Sequence, residues 1–83
     1  MIEEEIINFF KKDSEIKDKC PSTINSNSLL IESGILDSFG IIKLIVFLEQ
    51  KFNIEFDSKD LVEENFYTLK RIVELIVNKQ KNG

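Results

Sequence analysis

Ile2, Ile6, Phe9 and Phe10 recur at helical spacing near the start of the chain, with mostly polar positions between them. Glutamates stand at 3–5 and lysines at 11 and 12, the polarity that a helix dipole favours. This pattern predicts a helix over residues 2–12, fraying on towards Ile16. The periodicity then stops, and "CPSTINSNS", residues 20–28, is turn and loop chemistry throughout. Apolar side chains return in "LLIESGIL", where Gly34 is the turn point. From Ser38 to Phe52 the chain reads "SFGIIKLIVFLEQKF". Its "IIKLIVFL" core also suits a buried strand, but a run of this length without proline or a turn pair predicts a helix. "NIEFD" ends that helix, and "SKDLVEENF" permits a short helical turn or two. Thr68 is placed to cap a last helix, in which Leu69, Ile72, Val73 and Ile76 share a face. The expected fold is all-α, one domain with its core at about residues 2–78 and a fraying tail at 79–83.

The second predicted helix has more apolar surface than one core face requires. At about 100° per residue, Ile41, Leu44, Ile45, Leu48 and Phe52 form a single stripe facing the core. Phe39, Ile42 and Val46 form a second, narrower stripe on nearly the opposite side. Either another element of the chain covers it, or its side chains are tolerated singly in water, or it docks a partner protein. The expectation is a docking stripe beside Ser38.

Composition removes most catalytic readings. The 83 residues are 42% hydrophobic, with seven phenylalanines, three glycines and one proline, as a globular chain requires. There is no histidine, so neither a Ser-His-Asp nor a Cys-His site can be built. A single cysteine, Cys20, excludes an internal disulfide and a Cys-x-x-Cys metal knuckle, and reads as an ordinary loop residue. The chain is expected to be no enzyme and to hold no metal. Neither a secretory signal nor a run long enough to span a bilayer is visible, so the expected setting is the cytoplasm.

Charge adds a candidate steering surface. The net charge of −4 argues against nucleic acid as a partner. Residues 53–65 hold five acidic side chains, Glu55, Asp57, Asp60, Glu63 and Glu64, against one lysine. This cluster either steers a basic protein partner or is a solvated acidic loop.

The pair Asp37–Ser38 opens the second helix, and two roles compete for it. Either side chain can cap the free N–H groups of the first turn. The same position also suits a serine modified by another enzyme, because a helix N-terminus tolerates an attached phosphate. Asp37 then supplies an adjacent carboxylate, and Phe39, Ile42 and Val46 an apolar surface for that enzyme to grip.

The stretch "LIESGILDSFGIIKLIVFLEQKFNIEF" resembles the phosphopantetheine attachment region of acyl and peptidyl carrier proteins. The matching features are Gly34, the apolar pair Ile35–Leu36, Asp37–Ser38, Phe39, Leu48–Glu49, Phe52 and Ile54, in the family's order. Downstream, "LVEENFYTLKRIVELI" resembles its short third helix and the link into the fourth.

The resemblance implies a four-helix carrier bundle of three main helices and a short third one. It implies phosphopantetheine attached to Ser38 by a phosphopantetheinyl transferase, with Asp37 helping to bind that enzyme's magnesium. The arm's thiol, not Cys20, would hold an acyl or aminoacyl group as a thioester and pass it from an activating enzyme to downstream transfer enzymes. The chain would act as a stand-alone monomer.

Two departures shape the details. Phe39 stands where fatty-acid carriers have leucine, and the second helix carries Lys43 and Lys51 against Glu49 alone. Docking is therefore expected through Phe39, Ile42 and Val46, with acidic contacts moved to Asp60, Glu63 and Glu64. "GILDS" and "EENF" look closer to carriers of amino-acid activation or secondary metabolism than to those of fatty-acid synthesis. The rival expectation is a small helical adaptor that is never modified, with Ser38 as a plain cap.

Overall fold

The computed structural model describes residues 1–82. Three α-helices, α1 (Ile2–Lys12), α2 (Ser38–Phe52) and α3 (Leu69–Asn82), are joined by irregular chain. Two 3₁₀ turns, Ser58–Asp60 and Glu63–Phe66, lie between α2 and α3. Among the described residues there is no strand; an isolated antiparallel bridge pairs Leu29 with Thr68. No helix among them is long and apolar enough to cross a membrane.

All three helices bury an apolar seam in one core. Ile6 and Phe10 come from α1, Leu44 and Leu48 from α2, and Leu69, Ile72 and Ile76 from α3. The seam of α2 is narrower than the sequence predicts: Ile41, Ile45 and Phe52 are half-buried against the core rather than in it. On the flank of the same helix, Phe47 stacks on Phe9 of α1, with ring centroids 4.5 Å apart. The long loop between α1 and α2 belongs to the core as well, through Ile16, Leu30, Ile35 and Leu36.

Local hydrogen bonds explain how that loop folds inward. α1 ends at Lys12 rather than fraying on to Ile16, because the backbone of Asp13 turns extended. The Asp13 carboxylate then accepts the N–H groups of Glu15 and Ile16 at 3.1 Å each, a turn that drops Ile16 into the core. At the other end, Leu30 N–H donates to the Tyr67 carbonyl at 2.7 Å and Lys70 N–H to that of Ser26 at 3.0 Å. Gly34 takes φ +86°, the left-handed turn its position predicts.

The C-terminal half agrees with expectation in one place and departs from it in another. Residues 58–66 form two short 3₁₀ turns, as "SKDLVEENF" permits, with Val62 extended between them. The first turn is closed by Asp57 N–H donating to the Asp60 carboxylate at 2.8 Å. The tail expected to fray at 79–83 instead continues α3 through Asn82, and Lys79 is bound to Asp57 and Asp60. Gly83 lies outside the described residues.

Candidate functional site

The site is assembled at the N-terminus of α2. Asp37 is extended (φ −107°, ψ −176°), and its Oδ1 accepts the Gly40 N–H at 2.7 Å. Of the two candidate caps, Asp37 is the one used. Ser38 becomes the first helical residue and stands exposed, with the capping role already filled beside it. Gly40 is buried where a larger residue would press on this arrangement: a Cβ there would lie 3.4 Å from Asp37 Oδ1 and from Leu36 Cδ2.

The carboxylate of Asp37 is held on both oxygens. Besides the Gly40 N–H, Lys19 from the first loop reaches Oδ2 at 3.3 Å. Those two contacts, the backbone N–H first, hold its carboxyl below the usual carboxylate range. It is an anion at neutral pH.

Phe39, Ile42 and Val46 run along α2 from this point and are 60%, 57% and 49% exposed. No other element among the described residues covers them. Leu61 and Val62 are also exposed, on the link between the 3₁₀ turns. Sequence reasoning left that pair out because an isolated apolar doublet between acidic residues has no periodicity to mark it.

Lys43 does not present a free positive charge on this face. Asp13 and Glu15 of the first loop bind its ammonium at 2.9 and 2.7 Å, and it lies 5.4 Å from the centre of the Phe39 ring. The carboxylates of Glu15 and Asp13 raise its pKa above the ordinary lysine value. Lys51 is likewise paired, with Glu5 of α1 at 2.8 Å. The lysines that distinguish this helix in sequence are thus used to attach its neighbours.

The acidic candidates separate into two groups. Glu63 and Glu64 are exposed. Asp60 is turned inward: its side chain is 12% exposed and pairs with Lys79 of α3. Lys79, itself also joined to Asp57 at 3.2 Å, holds the Asp60 carboxyl below its usual range. Asp60 therefore fastens the 3₁₀ segment to α3 rather than facing out with Glu63 and Glu64.

Cys20 is half-buried beside Pro21, and burial pushes its thiol up, away from the reactive thiolate. Among the described residues, no three His, Cys, Asp or Glu side chains are grouped to hold a metal ion. What this end of the molecule can offer chemically is a presented hydroxyl, an ionised neighbour and an apolar ledge.

No protein-family model matches the chain. It is similar to the D-alanyl carrier protein of Streptococcus uberis (strain ATCC BAA-854 / 0140J), at 35% identity over 78 residues, covering 88% of this chain and 87% of that protein. It is also similar to the D-alanyl carrier protein of Streptococcus suis (strain 05ZYH33), at 38% identity over 48 residues, 58% of this chain. That match spans 61% of the length of the Streptococcus suis protein.

Proposed function

Because the chain belongs to the carrier protein family, we propose that it holds an aminoacyl group as a thioester on a phosphopantetheine arm attached to Ser38. D-alanine, the group in the names of its relatives, is the first cargo to test. The observation that carries the reading is the division of roles at the start of α2: Asp37 caps the helix, which leaves Ser38 exposed at the positive end of the dipole.

The residues present fit such an arm. An exposed hydroxyl at the first position of a 15-residue helix has open solvent before it and the favourable end of the helix behind it. When attached, phosphopantetheine supplies a thiol on a long tether, a role for which the half-buried Cys20 is poorly suited. Asp37, ionised and adjacent, would help bind a transferase's magnesium through the oxygen that Lys19 otherwise holds. Phe39, Ile42 and Val46 form the ledge on which the transferase and the activating and transfer enzymes dock, with Glu63 and Glu64 as outlying negative charge. Asp60, grouped with these two by sequence, contributes by holding their segment in place. In the family's four-helix arrangement, the two 3₁₀ turns take the place of the short third helix. The chain works as a monomer without catalysis of its own, and a reducing cytoplasm suits its unpaired cysteine.

Incubation with coenzyme A and a broad-specificity phosphopantetheinyl transferase should add one phosphopantetheine to the wild type and none to Ser38→Ala, as read by intact mass. Addition to Ser38→Ala, or none to the wild type, sinks the reading; the second result favours the unmodified adaptor.

A further inference from the structure

The first loop meets the beginning of α2 through two ionic contacts. Asp13 and Glu15 hold Lys43 one turn into the helix, and Lys19 holds Asp37 at its start. The second contact adjoins Ser38. Asp37 Oδ1 is engaged by the Gly40 N–H at 2.7 Å, so the carboxylate cannot swing aside without giving up the helix cap. An anion attached to Ser38 must settle beside a fixed negative charge, and like charges at such short range repel. Lys19 is the cation that touches this carboxylate. It is partly exposed and carried on a long flexible stem, so it can lean towards a second anion while keeping the first.

We propose that Lys19 is a positioning residue for the attached arm. In the unmodified chain it pairs with Asp37 alone; on the modified chain it is shared between Asp37 and the phosphodiester on Ser38. It thereby orients the root of the arm and draws the first loop tighter against α2. The inference rests on the reading of Ser38 given above, and it adds a residue from outside the Asp-Ser pair.

Sharing fixes the direction of a measurable difference. With Lys19 present, the new anion gains a partner, and modification should stabilise the fold. Without it, the anion has only the favourable end of the helix to set against the Asp37 charge, and modification should stabilise the fold less. Either effect should shrink as salt screens the partly exposed charges.

The test compares unmodified and modified forms of wild type, Lys19→Gln, Lys19→Arg and Lys43→Gln, each verified by intact mass. Melting temperatures are measured at low and high salt, with the phosphorus NMR signal of each modified form. At low salt the wild type should gain a few degrees on modification, Lys19→Arg should keep most of that gain, and Lys19→Gln should lose most of it. Lys43→Gln loosens the same loop away from Ser38, so it should melt lower yet keep the wild-type gain. The phosphorus signal should move in Lys19→Gln and stay put in Lys43→Gln. Should Lys19→Gln fail to take the arm, Ser38→Glu places an anion there without the transferase. Its melting shift should then be less favourable when combined with Lys19→Gln than alone. Equal shifts with and without Lys19, in either format, overturn the proposal. If the wild type takes the arm and the comparison is flat, this inference alone falls; if no chain takes it, the reading of Ser38 falls and this one with it.

Discussion

One carboxylate oxygen separates the two roles that an Asp-Ser pair can play. From sequence, Asp37 and Ser38 are equally able to cap α2, and a resemblance is needed to prefer a modified serine. The bond from Gly40 N–H to Asp37 Oδ1 assigns the cap to Asp37. Acidic residues elsewhere do comparable structural work. The carboxyls of Asp13, Asp37 and Asp60 are held below the usual range, chiefly by Lys43, the Gly40 N–H and Lys79 in turn. The unfolded chain therefore takes up protons first as pH falls, at the ordinary aspartate value of about 3.9. Stabilisation from these groups is complete above that value and is lost as pH drops through the lower folded values. Denaturation midpoints should hold level from neutral pH down to about pH 5 and fall below about pH 4. Asp13→Asn should start from a lower midpoint and decline less steeply, because the group that titrates is gone. A slope unchanged by that substitution would remove Asp13 from the account.

At the level of elements, α2 is a helix with two apolar faces, of which the fold uses one. Leu48 is fully buried, and Leu48→Ala should cost about 2–5 kcal/mol in chemical denaturation. Ile42→Ala or Val46→Ala should fall within about 0.5 kcal/mol of wild type while slowing loading by the cognate enzyme. Equal losses of stability from the two faces would mean that the outer stripe is core. Much of this level is legible in the chain. The limits of α1 and α2 follow from apolar spacing, acidic and basic ends, and the Asn53 that closes α2 in a left-handed conformation. Those signals are local, between residues three or four apart. The contacts that sequence reasoning missed are not: Lys43 finds Asp13 across 30 positions, and Lys79 finds Asp57 across 22. Lys43 does reduce the acidity of α2 in sequence, but its charge is matched by a loop whose path no periodicity reveals. The 58–66 segment is legible as short turns, but their 3₁₀ form depends on an inward Asp60 and a lysine from α3.

For the whole molecule, the relevant question is which acidic charges a partner can feel. Residues 53–65 hold more negative charge than any other stretch, yet Asp60 and Asp57 are bound to Lys79, while Glu63 and Glu64 are exposed. Replacing Glu63 and Glu64 together by glutamine should slow loading at low salt, and the gap should close as salt shortens the screening length to about 8 Å near physiological ionic strength. Asp60→Asn should act differently, by lowering the melting temperature with little change in the salt dependence of loading. Loading that is as fast in the double variant as in wild type at low salt would leave recognition to Phe39, Ile42 and Val46.

The backbone seam between residues 26–30 and 67–70 has a bearing on time rather than on shape. It joins stretches about forty residues apart, and closing so long a loop costs entropy before any contact repays it, so the seam should close after the individual helices have formed. Tyr67 is the single tyrosine in a chain without tryptophan. Its carbonyl accepts the Leu30 N–H in that seam, so its ring should report closure in stopped-flow fluorescence. Leu30→Ala, which empties a buried position on the seam, should accelerate unfolding while leaving the refolding rate nearly unchanged. A chain of this design would part along this seam while its helices are still formed.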